Sequence, residues 1–133
     1  MNVFFNKLIH QKRWAKFLAW TWTLLIFIAC FLPAKEIPKL SIPLIDKWVH
    51  FLLFAGFAWL WLLVLSPVRG RTCFFVFLVS VLFGFLVELI QGSGISPGRY
   101  FDLKDALADA IGGLIGVALF LGFQQIALQK ERP

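Results

Sequence analysis

Three separate pieces of this sequence carry side chains able to exchange protons or hold charged groups. The first is Asp46-Lys47-x-x-His50, the second Glu88-x-x-Gln91, and the third holds Arg99, Asp102, Asp105 and Asp109. A histidine near carboxylates is an acid–base arrangement, lysine and arginine can hold an anionic head group, and carboxylates in pairs suit a hard divalent cation. Four of the chain's seven acidic residues lie between Glu88 and Asp109. Each candidate also has a plainer role. Asp102 and Asp105 suit the first turn of a helix, Asp46 and Lys47 suit interfacial anchors, and His50 suits a single interfacial hydrogen bond. Gly92, Gly94 and Gly98 with Pro97 make a turn that positions Arg99. That turn lacks the lysine and the preceding strand of a phosphate-binding loop.

The elements that position these residues are dictated by lipid. Of 133 residues, 60% are hydrophobic and only 15% charged, whereas a soluble domain keeps about a quarter of its positions charged. So few polar residues cannot cover a water-facing surface, and a bilayer is the solvent that asks for apolar exteriors. The 16 Phe and 6 Trp suit acyl tails and interfaces. A net charge of +6 is spread over termini and short loops, which argues against a nucleic-acid patch. Four apolar runs, at 15–32, 48–65, 72–89 and 106–127, have the roughly 17–25 residues of a spanning helix and no strand alternation. The expected fold is an all-α membrane protein, a single domain over residues 1–133 built as a four-transmembrane-helix bundle. Pro33 and Pro67 stop the first two helices, and the short link 66–71 makes the second and third an antiparallel pair. Lys12, Arg13 and Lys16 before an apolar run resemble the start of a signal peptide. The run is long and no small-residue cleavage site follows it, so a retained helix is expected.

Charge bias sets the expected orientation. Lys7, Lys12, Arg13, Lys16, Arg69, Arg71, Lys130 and Arg132 fall on one side, eight against five for Lys35, Lys39, Lys47, Arg99 and Lys104. The positive-inside rule puts both termini in the cytoplasm, with Glu131 the clear acidic residue on that side. Cys30 and Cys73 then sit near opposite ends of the fold, and no disulfide is expected.

With four spans, the three polar pieces meet at the same, outer end of the bundle. Asp46 and His50 share a face if the second helix starts early enough. Ser80, Gly84, Glu88 and Gln91 form one stripe on the third helix, and Asp105, Asp109, Gly112 and Gly116 form one on the fourth. Gly112-x-x-x-Gly116 is a close-packing spacing, open either to the chain's own bundle or to a second copy in a homo-oligomer. The acids therefore point inward, toward a common cleft. Glu88 lies inside the end of its span, where an unpaired carboxylate is costly. Its expected partners are Arg99, Lys47 or His50.

The order Asp46-Lys47-x-x-His50-Phe51, Glu88-x-x-Gln91, Pro97-Gly98-Arg99, Asp105 and a glycine-rich last helix resembles the VanZ-like family of bacterial membrane proteins. The likeness runs from about residue 46 to 116. Two departures stand out: Asp109 occupies a position where the family pattern leads one to expect asparagine, and residues 92–96 are unusually rich in glycine and serine. The resemblance implies a multi-pass protein of the bacterial plasma membrane with a cell-envelope role. The family takes its name from a protein associated with low-level resistance to teicoplanin, a lipid-tailed glycopeptide.

Three functions compete. The first is a binding protein whose outer polar cleft takes membrane lipids, a lipid-linked envelope precursor or a lipoglycopeptide. The second is an enzyme acting on a lipid-linked phosphate or glycan, with Arg99 and Lys47 on the anionic head and Glu88, His50, Asp105 and Asp109 exchanging protons. No cofactor is required by either, although a divalent cation on the aspartates fits their chemistry. The third, a transporter or proton relay, needs ionisable groups near the midplane, which the cores of the four runs lack.

Overall fold

The computed structural model describes residues 2–130, with side-chain surroundings for 11–126 and Gln129. Arg132 and Glu131, used above for orientation, lie outside the described residues. Among those described there is no strand. Helix α1 runs Asn2–Phe31, α2 Ile45–Leu65, α3 Gly70–Gly92 and α4 Leu103–Lys130, with a 3-10 turn at Ala34–Glu36. All four helices hold a segment long and apolar enough to cross a bilayer: Gln11–Phe31, Ile45–Leu65, Gly70–Gly92 and Leu103–Ile126.

The helices overrun the apolar runs that announce them. Hydropathy marks the width of lipid, whereas backbone hydrogen bonding continues into polar sequence. The consequence is local and important. Since α2 begins at Ile45, Asp46 and Lys47 belong to its first turn, and Gln91 remains helical at the end of α3. Leu44 turns the chain into α2 with a left-handed backbone (φ 57°), and its carbonyl accepts from Trp48 N at 3.1 Å.

Packing is dominated by α2 against α4. A Cβ on Gly112 or Gly116 would run into the α2 backbone carbonyls of Phe51 and Ala55. Of the two uses left open for that stripe, packing within the chain's own bundle is the one these contacts serve. Helix α1 leans mainly on α2 and only lightly on α3. Ile26, Leu53, Phe54, Phe57 and Val87 form one buried cluster, and Ala58, Leu62, Val76 and Phe120 lie in another. Cys30 and Cys73 belong to different clusters and both are free. Large apolar side chains such as Trp20, Leu24, Phe74, Phe75, Leu82 and Leu119 face outward, as a lipid solvent requires.

Several polar groups within the apolar zone are paired internally. Trp22 Nε1 donates to the Leu53 carbonyl at 2.7 Å, Trp61 Nε1 to Thr23 Oγ1 at 3.2 Å, and Thr23 Oγ1 back to Ala19 at 2.8 Å. At the end of the bundle away from the acids, Gln124 Oε1 accepts from Val68 N at 3.0 Å, and its Nε2 donates to the Val68 carbonyl at 3.3 Å. One side chain thus holds the α2–α3 link onto α4.

Gly116→Ala is expected to destabilise the bundle by roughly 1–3 kcal/mol, because the new methyl must push α2 and α4 apart. Gly122, with open space around its Cβ position, is the matched control. Gly122→Ala should be neutral or stabilising by up to about 1 kcal/mol. Thermal unfolding of both variants in detergent measures the contrast, and equal effects would show that the glycine contact is not restrictive.

Candidate functional site

The start of α2, the end of α3 and the start of α4 bring seven of the nine candidate residues together. Lys47 is the hub of an outer group. Its Nζ donates to Asp46 Oδ2 and Asp102 Oδ2, both at 2.6 Å, and lies 2.7 Å from Asp105 Oδ1, an ion pair without an aligned hydrogen bond. Asp46 is exposed, and it is Lys47, three residues from His50, that shares the inward face with the imidazole. The helical step of four between Asp46 and His50 therefore does not make them partners.

Asp102 combines its roles. Its Oδ1 caps α4 by accepting from Lys104 N at 2.8 Å, while Oδ2 takes the Lys47 ammonium. Lys47, then the Lys104 amide, hold the Asp102 carboxyl below the usual carboxylate range. Its own amide donates to Glu88 Oε2 at 3.0 Å. Glu88 thus does from α3 what the third-position glutamate of a capping box does from within the helix.

The inner group is buried. His50 is 4% exposed, Asp105 8%, and Glu88 and Asp109 not at all. His50 Nδ1 lies 2.9 Å from Asp109 Oδ1 and 3.7 Å from Glu88 Oε1. Asp109 reaches this position because Gly84 of α3 has no side chain: a Cβ there would meet Asp109 Oδ2 at 2.8 Å. Four buried oxygens in this neighbourhood have no hydrogen-bond partner: Glu88 Oε1, Asp109 Oδ2, Ser80 Oγ and Asp105 Oδ1, the last ion-paired to Lys47. The His50–Asp109 pair fixes the ring orientation and, with the proton on Nδ1, leaves Nε2 as the lone-pair nitrogen. Such a site can exchange protons or bind a cation.

Gln91 and Arg99 stand apart from the acids. Both serve the C-terminal end of α1, where the last carbonyls have no partner within the helix. Leu32 N returns to the Ile28 carbonyl at 3.1 Å. Arg99 Nη2 donates to Ala29 at 3.1 Å, Gln91 Nε2 to Cys30 at 2.6 Å, Ser96 Oγ to Phe31 at 3.1 Å, and Arg99 Nε to Leu32 at 3.2 Å. Each carbonyl from Ile28 to Leu32 has a donor. The Arg99 cation also complements the negative end of the helix. Ser96-Pro97-Gly98-Arg99 forms the turn that aims it, with Arg99 N bonded to Ser96 O at 3.1 Å and Gly98 at φ 76°. Glu88 consequently finds His50 and a backbone amide rather than Arg99.

Sequence reasoning missed Ser96 as a cap and Gly84 as the gap that admits Asp109. Ser96 gave no signal beyond its turn. Gly84, four residues from both Ser80 and Glu88, was visible as part of the stripe. Asp109 is spent on His50, and Asp105 lies with His50 and Glu88, their ligand atoms all within 4.8 Å of one another. A cavity of about 370 Å³ between α1, α2 and α3, lined by Thr23, Phe57, Trp61, Phe75, Val79 and Phe83, is apolar and lies toward the other end.

Comparison with known proteins gives one match. A protein-family profile described as VanZ-LLP1: VanZ/LLP1 matches residues 2–125. No curated protein and no solved structure matches the chain.

Arg99→Ala removes a charged donor from two carbonyls of α1, one part-buried and one exposed, and a loss of roughly 1–3 kcal/mol is expected. Arg99→Lys should recover only part of it, since one ammonium cannot follow the two-point geometry. Melting in detergent, with proteolysis after residue 32 as a second readout, checks this; a wild-type profile for Arg99→Ala would refute the capping role.

Proposed function

From the premise that the chain belongs to the VanZ/LLP1 family of VanZ-like proteins, we propose that it works in the cell envelope as a binding protein for an envelope lipid or lipid-linked precursor. In this reading it is a multi-pass protein of the bacterial plasma membrane, with both termini in the cytoplasm and the polar end of the bundle facing outward. The observation that carries the reading is the inner group itself. Three buried carboxylates and an imidazole are held at one end of four apolar helices, and buried ionic groups in a membrane protein mark ligand sites by default. Burying them costs free energy that capping alone does not require, because Asp102 already caps α4.

The binding chemistry differs from a simple phosphate clamp. Lys47 is shared among three carboxylates and Arg99 is committed to α1, so neither is free to hold an anionic head. The mouth is acidic, and it favours hydrogen-bond donors, amines or a bridging cation. By occupying such a lipid or precursor, the protein would alter how a lipid-tailed glycopeptide such as teicoplanin meets the membrane.

A second reading is supported by the 2.9 Å contact between His50 and Asp109. A carboxylate that orients an imidazole is the arrangement of a general base, and Glu88 at 3.7 Å from the ring completes an acid–base set. This supports an enzyme acting on a lipid-linked phosphate or glycan in the outer leaflet, with His50 and Glu88 exchanging protons.

Expression in a teicoplanin-susceptible Gram-positive host tests the binding role. The wild-type chain is expected to raise resistance, Glu88→Gln and His50→Gln to abolish the rise, and Asp46→Asn to retain most of it. Unchanged susceptibility with the wild-type chain at normal membrane levels would sink the glycopeptide link. Conversion of a lipid-linked substrate by purified protein, lost completely in His50→Gln, would replace binding with catalysis. Cysteines placed at Asp46 and Tyr100 should both react with an impermeant maleimide on intact cells, and reaction only after lysis would reverse the orientation.

A further inference from the structure

Two groups of acids in this end of the bundle have the spacing of a cation site. Asp46, Asp102 and Asp105 form the outer one, and His50, Glu88 and Asp105 the inner one. The chain fills the outer group itself, with the Lys47 ammonium at 2.6–2.7 Å from an oxygen of each aspartate. Asp105 of the inner group shares that ammonium, but among the described residues no lysine or arginine pairs with Glu88 or Asp109. Glu88 is fully buried, yet its Oε1 has no hydrogen-bond partner and lies 3.7 Å from His50 Nδ1. Asp109 Oδ2 is likewise buried and unpartnered.

We propose that His50, Glu88 and Asp105 bind one divalent transition-metal ion, with Asp109 as the residue that orients the imidazole. The ligand atoms all lie within 4.8 Å of one another. An ion about 2.0–2.2 Å from each donor needs them roughly 3–4 Å apart, so the side chains must close in on it. Asp109 on His50 Nδ1 is the carboxylate–histidine pairing that orients a metal-binding ring; the nitrogen 3.7 Å from Glu88 Oε1 is also Nδ1, so the ring must turn for Nε2 to reach the ion. Lys47 anchors Asp105 from the other side. One imidazole and two carboxylates select Zn²⁺, Fe²⁺ or Mn²⁺ over Mg²⁺ and Ca²⁺, which prefer oxygen alone. Three protein ligands leave positions open for an exogenous oxygen.

The ion deepens the envelope-ligand reading, and only its contact with a head group rests on that reading. With Lys47 and Arg99 engaged, a dication is the positive centre that a lipid-linked phosphate would meet in an otherwise acidic mouth.

The test uses tag-free, full-length protein in detergent without added lipid, so that it stands apart from the functional assay. Titration with Zn²⁺ and with Mn²⁺ should show one saturable site, and each ion should raise the melting temperature reversibly with EDTA. Glu88→Gln and His50→Gln should weaken binding by roughly 10- to 100-fold or more, and Asp109→Ala by roughly 10- to 100-fold. Asp46→Asn should retain the site. Absence of saturable binding to the wild-type chain overturns the proposal, as does binding that survives Glu88→Gln or is lost in Asp46→Asn. Equal affinity for Mg²⁺ overturns the choice of metal class. Should either inner variant fold poorly, the wild-type thermal shift and the Asp109→Ala affinity still decide the matter.

Discussion

Lipid offers no hydrogen bonds, and nearly everything distinctive about this molecule follows from that constraint. A polar group inside a bilayer must find its partner within the protein or remain costly. The Trp22 and Trp61 indoles, the α1 carbonyls from Ala29 to Leu32 and the open backbone at Val68 are satisfied by groups from other helices or from the α3–α4 loop. These bonds are few and they join different elements, so they also act as the register marks of the bundle.

Against that background the inner acidic group is exceptional. The same chain that supplies a donor to each carbonyl from Ile28 to Leu32 leaves Glu88 Oε1 and Asp109 Oδ2 without one. The glycines explain how such a group is tolerated sterically. Gly84 admits Asp109 to the face of α3, while Gly112 and Gly116 bring α4 against the α2 backbone, closing His50 in. Tight packing and buried charge are thus two results of the same small residues.

The two cations divide the labour. Lys47 gathers the acids that reach the interface and draws the starts of α2 and α4 together. Arg99 is carried by a proline–glycine turn to a helix end, where its two-point donor geometry and its charge both fit. Lys47 offers one compact head to three carboxylates, whereas Arg99 is held at two points on α1. What remains between them is the buried group of His50, Glu88, Asp105 and Asp109.

Much of this was legible in the amino-acid sequence. Composition demanded lipid, apolar length gave four spans, and their alternating direction put Asp46, Glu88 and Asp105 at the same end. Helical period put Ser80, Gly84 and Glu88 on one stripe and Asp105, Asp109 and Gly112 on another, because spacing along a helix is local geometry. What tertiary structure alone decided was pairing. Arg99 went to α1 rather than to Glu88, Lys47 rather than Asp46 came to lie beside His50, and Gly116 met α2 rather than a second chain. Those outcomes turn on helix rotations and on where α1 leans, distances set by packing between segments far apart in sequence. One-dimensional spacing carries no information about which of several reachable partners lies nearest.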